Sequence, residues 1–277
     1  MFFSLYIRNT TDSTNQINVF KRILVVNTVV LSIAAIYESV VLGALRPEAT
    51  MTNPNYMSYY ICLGLVAILT LYNDKRKFLI WAIGFFAVYL SGSYSCVFAS
   101  IVCLLFYFAN KAQSVIWTRL LIGFTVVGAF FLVITMSMSL EITAVFSGAK
   151  GGTLRNIIWS DAFDQFKHHP LLGVGYNTYY YETPDKLFAT HNDLVRIIVE
   201  LGVIGIVAIG YRIKKAVYSL SLVNGEARQC FTMFIVTTIL FSMFHNNMNS
   251  LLFWLVFSLP EVYSVLWNEE QSGEFDI

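Results

Sequence analysis

Apolar residues in this chain come in long runs rather than in alternation. Side chains of low polarity follow one another from Ile23 to Leu45, Tyr56 to Tyr72, Phe78 to Leu90, Cys96 to Ala109, Leu120 to Ser139, Leu194 to Tyr211, Cys230 to Phe244 and Leu251 to Trp267. A hydrocarbon core about 30 Å thick takes roughly 20 such residues wound as a helix, and inside it every backbone N–H and C=O must bond within the chain. Each run therefore reads as a membrane-crossing helix. Phe78 to Phe108 is almost continuous, interrupted only by Ser91, Gly92, Ser93, Tyr94 and Ser95, which predict a tight turn between two arms. The expected fold class is all-α, a polytopic transmembrane helical bundle of about eight helices.

One polar stretch stands apart, from Glu141 to Thr190. Within it Thr153 can cap a helix, Leu154, Ile157, Ile158, Ala162 and Phe166 recur at helical spacing, and Pro170 ends the pattern. This predicts an amphipathic interfacial helix lying on the membrane surface, with Arg155 and Trp159 one turn apart on it. Gly173 and Gly175 follow and let backbone approach a ligand. Tyr176, Tyr179, Tyr180 and Tyr181 then offer aromatic faces to sugar rings. No strand precedes the glycine pair, as a nucleotide-phosphate loop would need. The expected organisation is a short N-terminal segment over 1–22, read as the remnant of a longer chain or the start of a minimal one. Five transmembrane helices over 23–139, the loop over 140–193, and three transmembrane helices with an acidic tail over 194–277 complete it.

Composition narrows the class. Hydrophobic residues make up 57% and charged residues 13%, with a mean hydropathy of +0.63, which excludes an ordinary soluble domain. A net charge of +1 excludes a broad basic surface for nucleic acid. Cys62, Cys96, Cys103 and Cys230 all fall inside apolar runs without zinc-type spacing, so neither a disulfide framework nor a metal site is expected.

Charge then sets direction, because short loops rich in Lys and Arg stay in the cytoplasm. With Lys21 and Arg22 inside, Arg8, Lys75, Arg76, Lys77, Lys111, Arg119, Arg212, Lys214, Lys215 and Arg228 are inside too, twelve of the eighteen basic residues. The turn at Asn53, Pro54 and Asn55, the Ser91 to Ser95 turn, the long loop and the turn from His245 to Asn249 then all face outward. The candidate chemistry shares that side.

The order of these motifs carries a resemblance. Arg46 with Asn53, Pro54 and Asn55, then "LSGSYS" from Leu90, then Arg155 and Trp159, "HPLLGVGYNTY" from His169 and "HNDLVRIIVELGVIG" from His191 resemble the O-antigen ligase and O-antigen polymerase superfamily of bacterial envelope glycan enzymes. The similarity runs from about Arg46 to Gly210. Many relatives carry an arginine where this chain has Tyr94, and Arg46 is the candidate to supply that charge.

The resemblance implies glycosyl transfer at the outer face of the bacterial cytoplasmic membrane, from a polyprenyl-diphosphate-linked glycan donor to a hydroxyl on a glycan or lipid acceptor. Joining of repeat units is preferred to ligation of finished chains, and no cofactor or metal is implied. A diphosphate leaving group suits the planar fork of an arginine, and Arg155 is the first choice. His191 is the expected base, since a histidine with an ordinary pKa near 6.5 can take a hydroxyl proton near neutral pH. Arg46, Asn55, Ser93, Tyr94, Trp159, Tyr176, Asn192, Glu200 and His245 complete the expected substrate contacts.

Each residue also has a plainer reading. His191 also fits a simple interfacial anchor, Asn192 and Asp193 fit helix caps, and Arg196 with Glu200 fits a structural ion pair inside the membrane. Gly202 and Gly205 fit close helix packing, and the turn after His245 fits a self-satisfied loop. Two other function classes compete: a transporter or channel, which would put polar features at mid-membrane helix breaks, and a truncated non-catalytic member of the family.

Overall fold

The computed structural model describes residues 13–112, 120, 123–125, 128, 151–184, 186–223 and 225–272. Among the described residues the elements in chain order are α1 (Ser13–Val40), α2 (Pro54–Leu71), α3 (Lys77–Leu90), α4 (Tyr94–Lys111), α5 (Gly151–His168), β1 (Tyr181–Thr183), β2 (Lys186–Phe188), α6 (Asp193–Leu222), α7 (Gly225–Ser242) and α8 (Leu251–Ser272). The fold is helical, as the apolar runs predict. The run from Leu120 to Ser139 lies outside the described residues, apart from five isolated positions.

Among the described residues four helices are long and apolar enough to cross a membrane: α1 over Arg22–Val40, α2, α4 and α6. α3 and the Leu251–Val265 part of α8 are apolar but shorter. At a rise of about 1.5 Å per residue, the 14 residues of α3 reach about 21 Å, less than the roughly 30 Å core. Boundaries also move. α1 stops at Val40 rather than Leu45, where the chain turns through Gly43 at φ +71°, a left-handed ending that suits glycine. α6 continues eleven residues past Tyr211, so Arg212, Lys214 and Lys215 ride on the helix instead of forming a loop. Lys215 pairs there with Glu261 of α8 at 2.5 Å.

The chain folds as two compact units, one of residues 1–118, 215–238 and 255–277, the other of residues 119–214 and 239–254. In the first, α2 is the central helix and packs on α1, α3 and α4. It starts at Pro54, which lacks an N–H and suits a first turn, after Asn53 accepts a bond from the Asn55 amide at 2.8 Å. Met57, Tyr59, Ile61, Leu65, Ile68 and Leu69 are almost fully buried along it. The Tyr59 hydroxyl lies 2.8 Å from the Thr238 hydroxyl of α7, which satisfies both buried groups. Lys77 donates to the carbonyls of Leu69 and Tyr72 at 2.8 and 2.6 Å, filling orphan acceptors at the end of α2.

The second unit is built around α5, the segment after it, and the first part of α6. Ile158, Ala162, Tyr179, Val195 and Val199 form its core, with Trp159, Val174, Tyr181 and Phe188 packed against it. The buried stripe of α5 is narrower than its sequence pattern: Ile157 is 44% exposed, because the core reaches only one edge of the helix. β1 and β2 pair antiparallel, Tyr181 opposite Phe188. Strands of three residues carry no readable alternation, and the sequence gives no sign of them.

α6 is broken. Gly202 sits at φ +62°, ψ −159° inside it, and the segment from Pro170 to Gly175 fits into the break. Val174 and Gly175 donate to the carbonyls of Val199 and Glu200 at 2.9 and 3.0 Å, while Val203 and Ile204 donate to those of Pro170 and Leu171 at 2.9 and 3.1 Å. The backbone groups freed by the break are thus bonded to the inserted segment, as buried backbone N–H and C=O groups require. Only glycine fits this crossing. A Cβ on Gly173 would stand 2.3 Å from the Glu200 carbonyl carbon, and one on Gly202 would stand 2.6 Å from that of Leu171. Gly202 therefore receives an inserted loop and does more than ease helix packing. A mid-helix discontinuity does exist, but protein backbone occupies it.

Candidate functional site

The polar residues of the second unit gather at two points, and His191 is the first. Its φ is +51°, in the left-handed region that non-glycine residues rarely adopt. His191 is exposed while Thr190 and Asn192 on either side are buried, at 1% and 6%. Both neighbours are held. The Thr190 carbonyl accepts from the Trp159 indole N–H at 3.0 Å, and its hydroxyl donates toward Asn246 Oδ1 at 2.9 Å and the Asn192 carbonyl at 3.1 Å. Asn192 Nδ2 donates to the Met243 carbonyl at 3.0 Å. Asn192 Oδ1 accepts from the Leu194 and Val195 amides at 2.8 and 3.2 Å, capping α6. Asp193 Oδ2 accepts from the Asn247 amide at 2.8 Å. An exposed imidazole thus stands on a backbone fixed from α5, from α6 and from the turn after α7.

The second point is the ion pair between Arg196 and Glu200, with Nε 3.0 Å from Oε1 and side chains 6% and 0% exposed. Glu200 Oε2 also accepts from the Asn177 amide at 2.7 Å, and Arg196 Nη2 donates to Asn177 Oδ1. Asn177 is itself left-handed, at φ +59°, and its Oδ1 also accepts from the Tyr180 hydroxyl at 3.3 Å. Asn249 closes the group. In one orientation its amide donates to Asn177 Oδ1 at 2.8 Å. In the other its oxygen accepts from the guanidinium at 3.1 and 3.2 Å and its nitrogen donates to the Tyr176 hydroxyl at 2.8 Å. The second avoids setting amide N–H against guanidinium N–H and is preferred. Buried charges need such saturation, because desolvation otherwise outweighs their attraction.

Several expected contacts change role. Glu200 is fully buried and Asn192 nearly so, hence neither presents its side chain to a substrate. Trp159 is half-buried against the core with its N–H spent on Thr190, so it is not an open aromatic plate. Tyr176 is 52% exposed and keeps an accessible face, as does Tyr180. Tyr179 is buried and donates to the Ile158 carbonyl and to Asp161 Oδ2, both at 2.8 Å. Burial, then Asp161, push its phenol well above the ordinary tyrosine range, so it serves as a fixed neutral donor. His245 is half-buried, its ring 4.5 Å from that of Phe241. Arg155 lies on α5, where the side chains before Ile157 are outside the described residues. Thr190, Asn177, Asn246 and Asn249 are members of these groups that no sequence pattern marks, since the bonds that tie them to Asn246, Arg196, Glu200 and one another span 19 or more positions.

In the first unit Arg46 is exposed. Its Nε donates to the Ser91 carbonyl at 3.0 Å and its Nη2 to Asn55 Oδ1 at 3.1 Å. The Ser91 to Ser93 turn bends at Gly92, φ +69°, and leads into α4. Tyr94 is 66% exposed, whereas Ser93 is 2% exposed with its hydroxyl unbonded, so only Tyr94 presents a surface. The structure therefore brings together Arg46, Asn55 and the turn that carries Tyr94. Among the described residues, no group of three His, Cys, Asp or Glu is placed to hold a metal ion.

Residues 78–210 match the family model described as O-antigen ligase. That stretch, just under half of the chain, is similar to the O-antigen ligase family. A comparison with curated proteins finds no match. The matched stretch takes in Ser93, Tyr94, Arg155, Trp159, Tyr176, His191, Asn192 and Glu200, while Arg46, Asn55 and His245 lie outside its limits. Together the match and the apolar helices indicate an integral membrane protein.

Proposed function

We propose that the protein transfers a glycan from a polyprenyl diphosphate carrier to a glycan hydroxyl, at the outer face of the bacterial cytoplasmic membrane. The supporting observation is His191, exposed in a constrained backbone conformation between two anchored neighbours, inside the stretch similar to the O-antigen ligase family. In this reading His191 accepts the proton of the acceptor hydroxyl as that oxygen attacks the anomeric carbon. The bond from that carbon to the diphosphate oxygen breaks, and the carrier diphosphate leaves with its electron pair. Arg155 meets the developing charge through a forked pair of N–H groups. Arg46, beside the turn that carries Tyr94, keeps an exposed charge that can meet an anionic group. Tyr176 and Tyr180 offer faces to the sugar rings, and His245 contributes to the donor side.

Joining of repeat units is the preferred outcome, with ligation to a lipid the variant of the same chemistry. The break in α6 would favour a transporter only if it lined a cavity, and the Pro170 to Gly175 segment fills it. Purified protein in proteoliposomes, given a polyprenyl-diphosphate-linked oligosaccharide, tests the proposal by product length. The wild type should extend or transfer the glycan, His191→Ala should not, and Arg155→Lys should be slowed. Equal product from wild type and His191→Ala would remove the base, and solute flux without transfer would replace the enzyme by a transporter.

A further inference from the structure

We propose that Thr190 and Asn246 are positioning residues, which hold the His191 peptide in its left-handed conformation and so aim the imidazole. This rests on the reading of His191 as the base. A histidine at φ +51° is costly by itself, and such conformations persist only where the surroundings over-determine them. Here the surroundings do so. The Thr190 hydroxyl bonds Asn246 Oδ1 at 2.9 Å and the Asn192 carbonyl at 3.1 Å, spanning His191 from its N-terminal to its C-terminal side. The Thr190 carbonyl is fixed by Trp159 at 3.0 Å, and Asn192 is fixed to Met243 and to the first turn of α6. Two buried residues therefore clamp one exposed residue from three directions. The clamp also ties His191 to the turn after α7, outside the O-antigen ligase match.

A mispositioned base costs rate without costing binding, since a displacement near 1 Å can lower turnover on the order of 100-fold. Thr190→Val keeps the shape of the side chain and removes its hydroxyl. It should lower kcat by roughly 10- to 100-fold with KM unchanged, and Thr190→Ser should recover most of the loss. Asn246→Ala should behave like Thr190→Val, while Asn246→Asp, which keeps an acceptor, should recover. A second measurement needs no activity. His191→Gly relieves the left-handed backbone and His191→Ala does not, so the glycine variant should unfold a few degrees higher in detergent.

The results separate cleanly. Wild-type kcat in Thr190→Val, with His191→Ala inactive, would overturn the clamp and leave the base in place. Full activity in His191→Ala would overturn the base and the clamp with it. A rise in KM and a fall in unfolding temperature matching the loss of kcat would make Thr190 merely structural. Equal unfolding temperatures for the glycine and alanine variants would show that the left-handed conformation is not held.

Discussion

Arg46 and Arg196 are both arginines bonded to an asparagine and a carbonyl or carboxylate, yet their settings are opposite. Arg196 is 6% exposed and faces a fully buried Glu200, with Asn177 and Asn249 around its guanidinium. Arg46 is exposed and bonds a backbone carbonyl and one asparagine, with no carboxylate among the partners these bonds provide. A guanidinium enclosed by acceptors has spent its charge on the fold. One that keeps its charge at a surface can still meet an anion. Arginine content is therefore a poor guide to function, and the state of the partners is a better one.

The largest effect should come from breaking the enclosed pair. Glu200→Ala leaves the Arg196 charge buried without its carboxylate and should cost about 3–5 kcal/mol, read by denaturation in detergent. A loss under about 1 kcal/mol would mean that the pair is solvated. Gly202→Ala should follow, at about 2–3 kcal/mol, because its Cβ would collide with the Leu171 carbonyl and its φ is left-handed. Proteolysis of the Pro170 to Gly175 segment should rise with it. Asn192→Ala removes a helix cap and the bond to Met243 and should cost about 1–2 kcal/mol. Arg46→Ala should move stability least, within about 0.5 kcal/mol, yet raise the KM for a diphosphate-linked donor. If Arg46→Ala unfolded the protein as Glu200→Ala does, the contrast between the two arginines would collapse.

The helices were legible because a bilayer writes long apolar runs into a sequence. α2 and α4 lie within two residues of their predicted limits. α6 runs past its predicted end at Tyr211, because Arg212, Lys214 and Lys215 look like a loop in the sequence while in the structure their helix continues and Lys215 finds Glu261. The break at Gly202 was hidden, since glycine in an apolar helix usually signals packing, and only the inserted partner segment distinguishes the two. For the site, His191, Asn192, Arg196 and Glu200 stood out as polar groups beside an apolar run. Their roles did not, because burial and the partners Asn177, Asn246 and Asn249 are set by contacts distant in sequence. The capping of α6 by Asn192 was the exception, being local.

Sidedness is the claim on which the account turns, and an amine reagent that cannot cross membranes tests it directly in intact cells stripped to the cytoplasmic membrane. Lys186, exposed on β2, should be modified from outside, and Lys75, exposed before α3, only after the membrane is opened. Modification of Lys75 from outside with Lys186 protected would place His191 on the cytoplasmic side, away from the proposed donor.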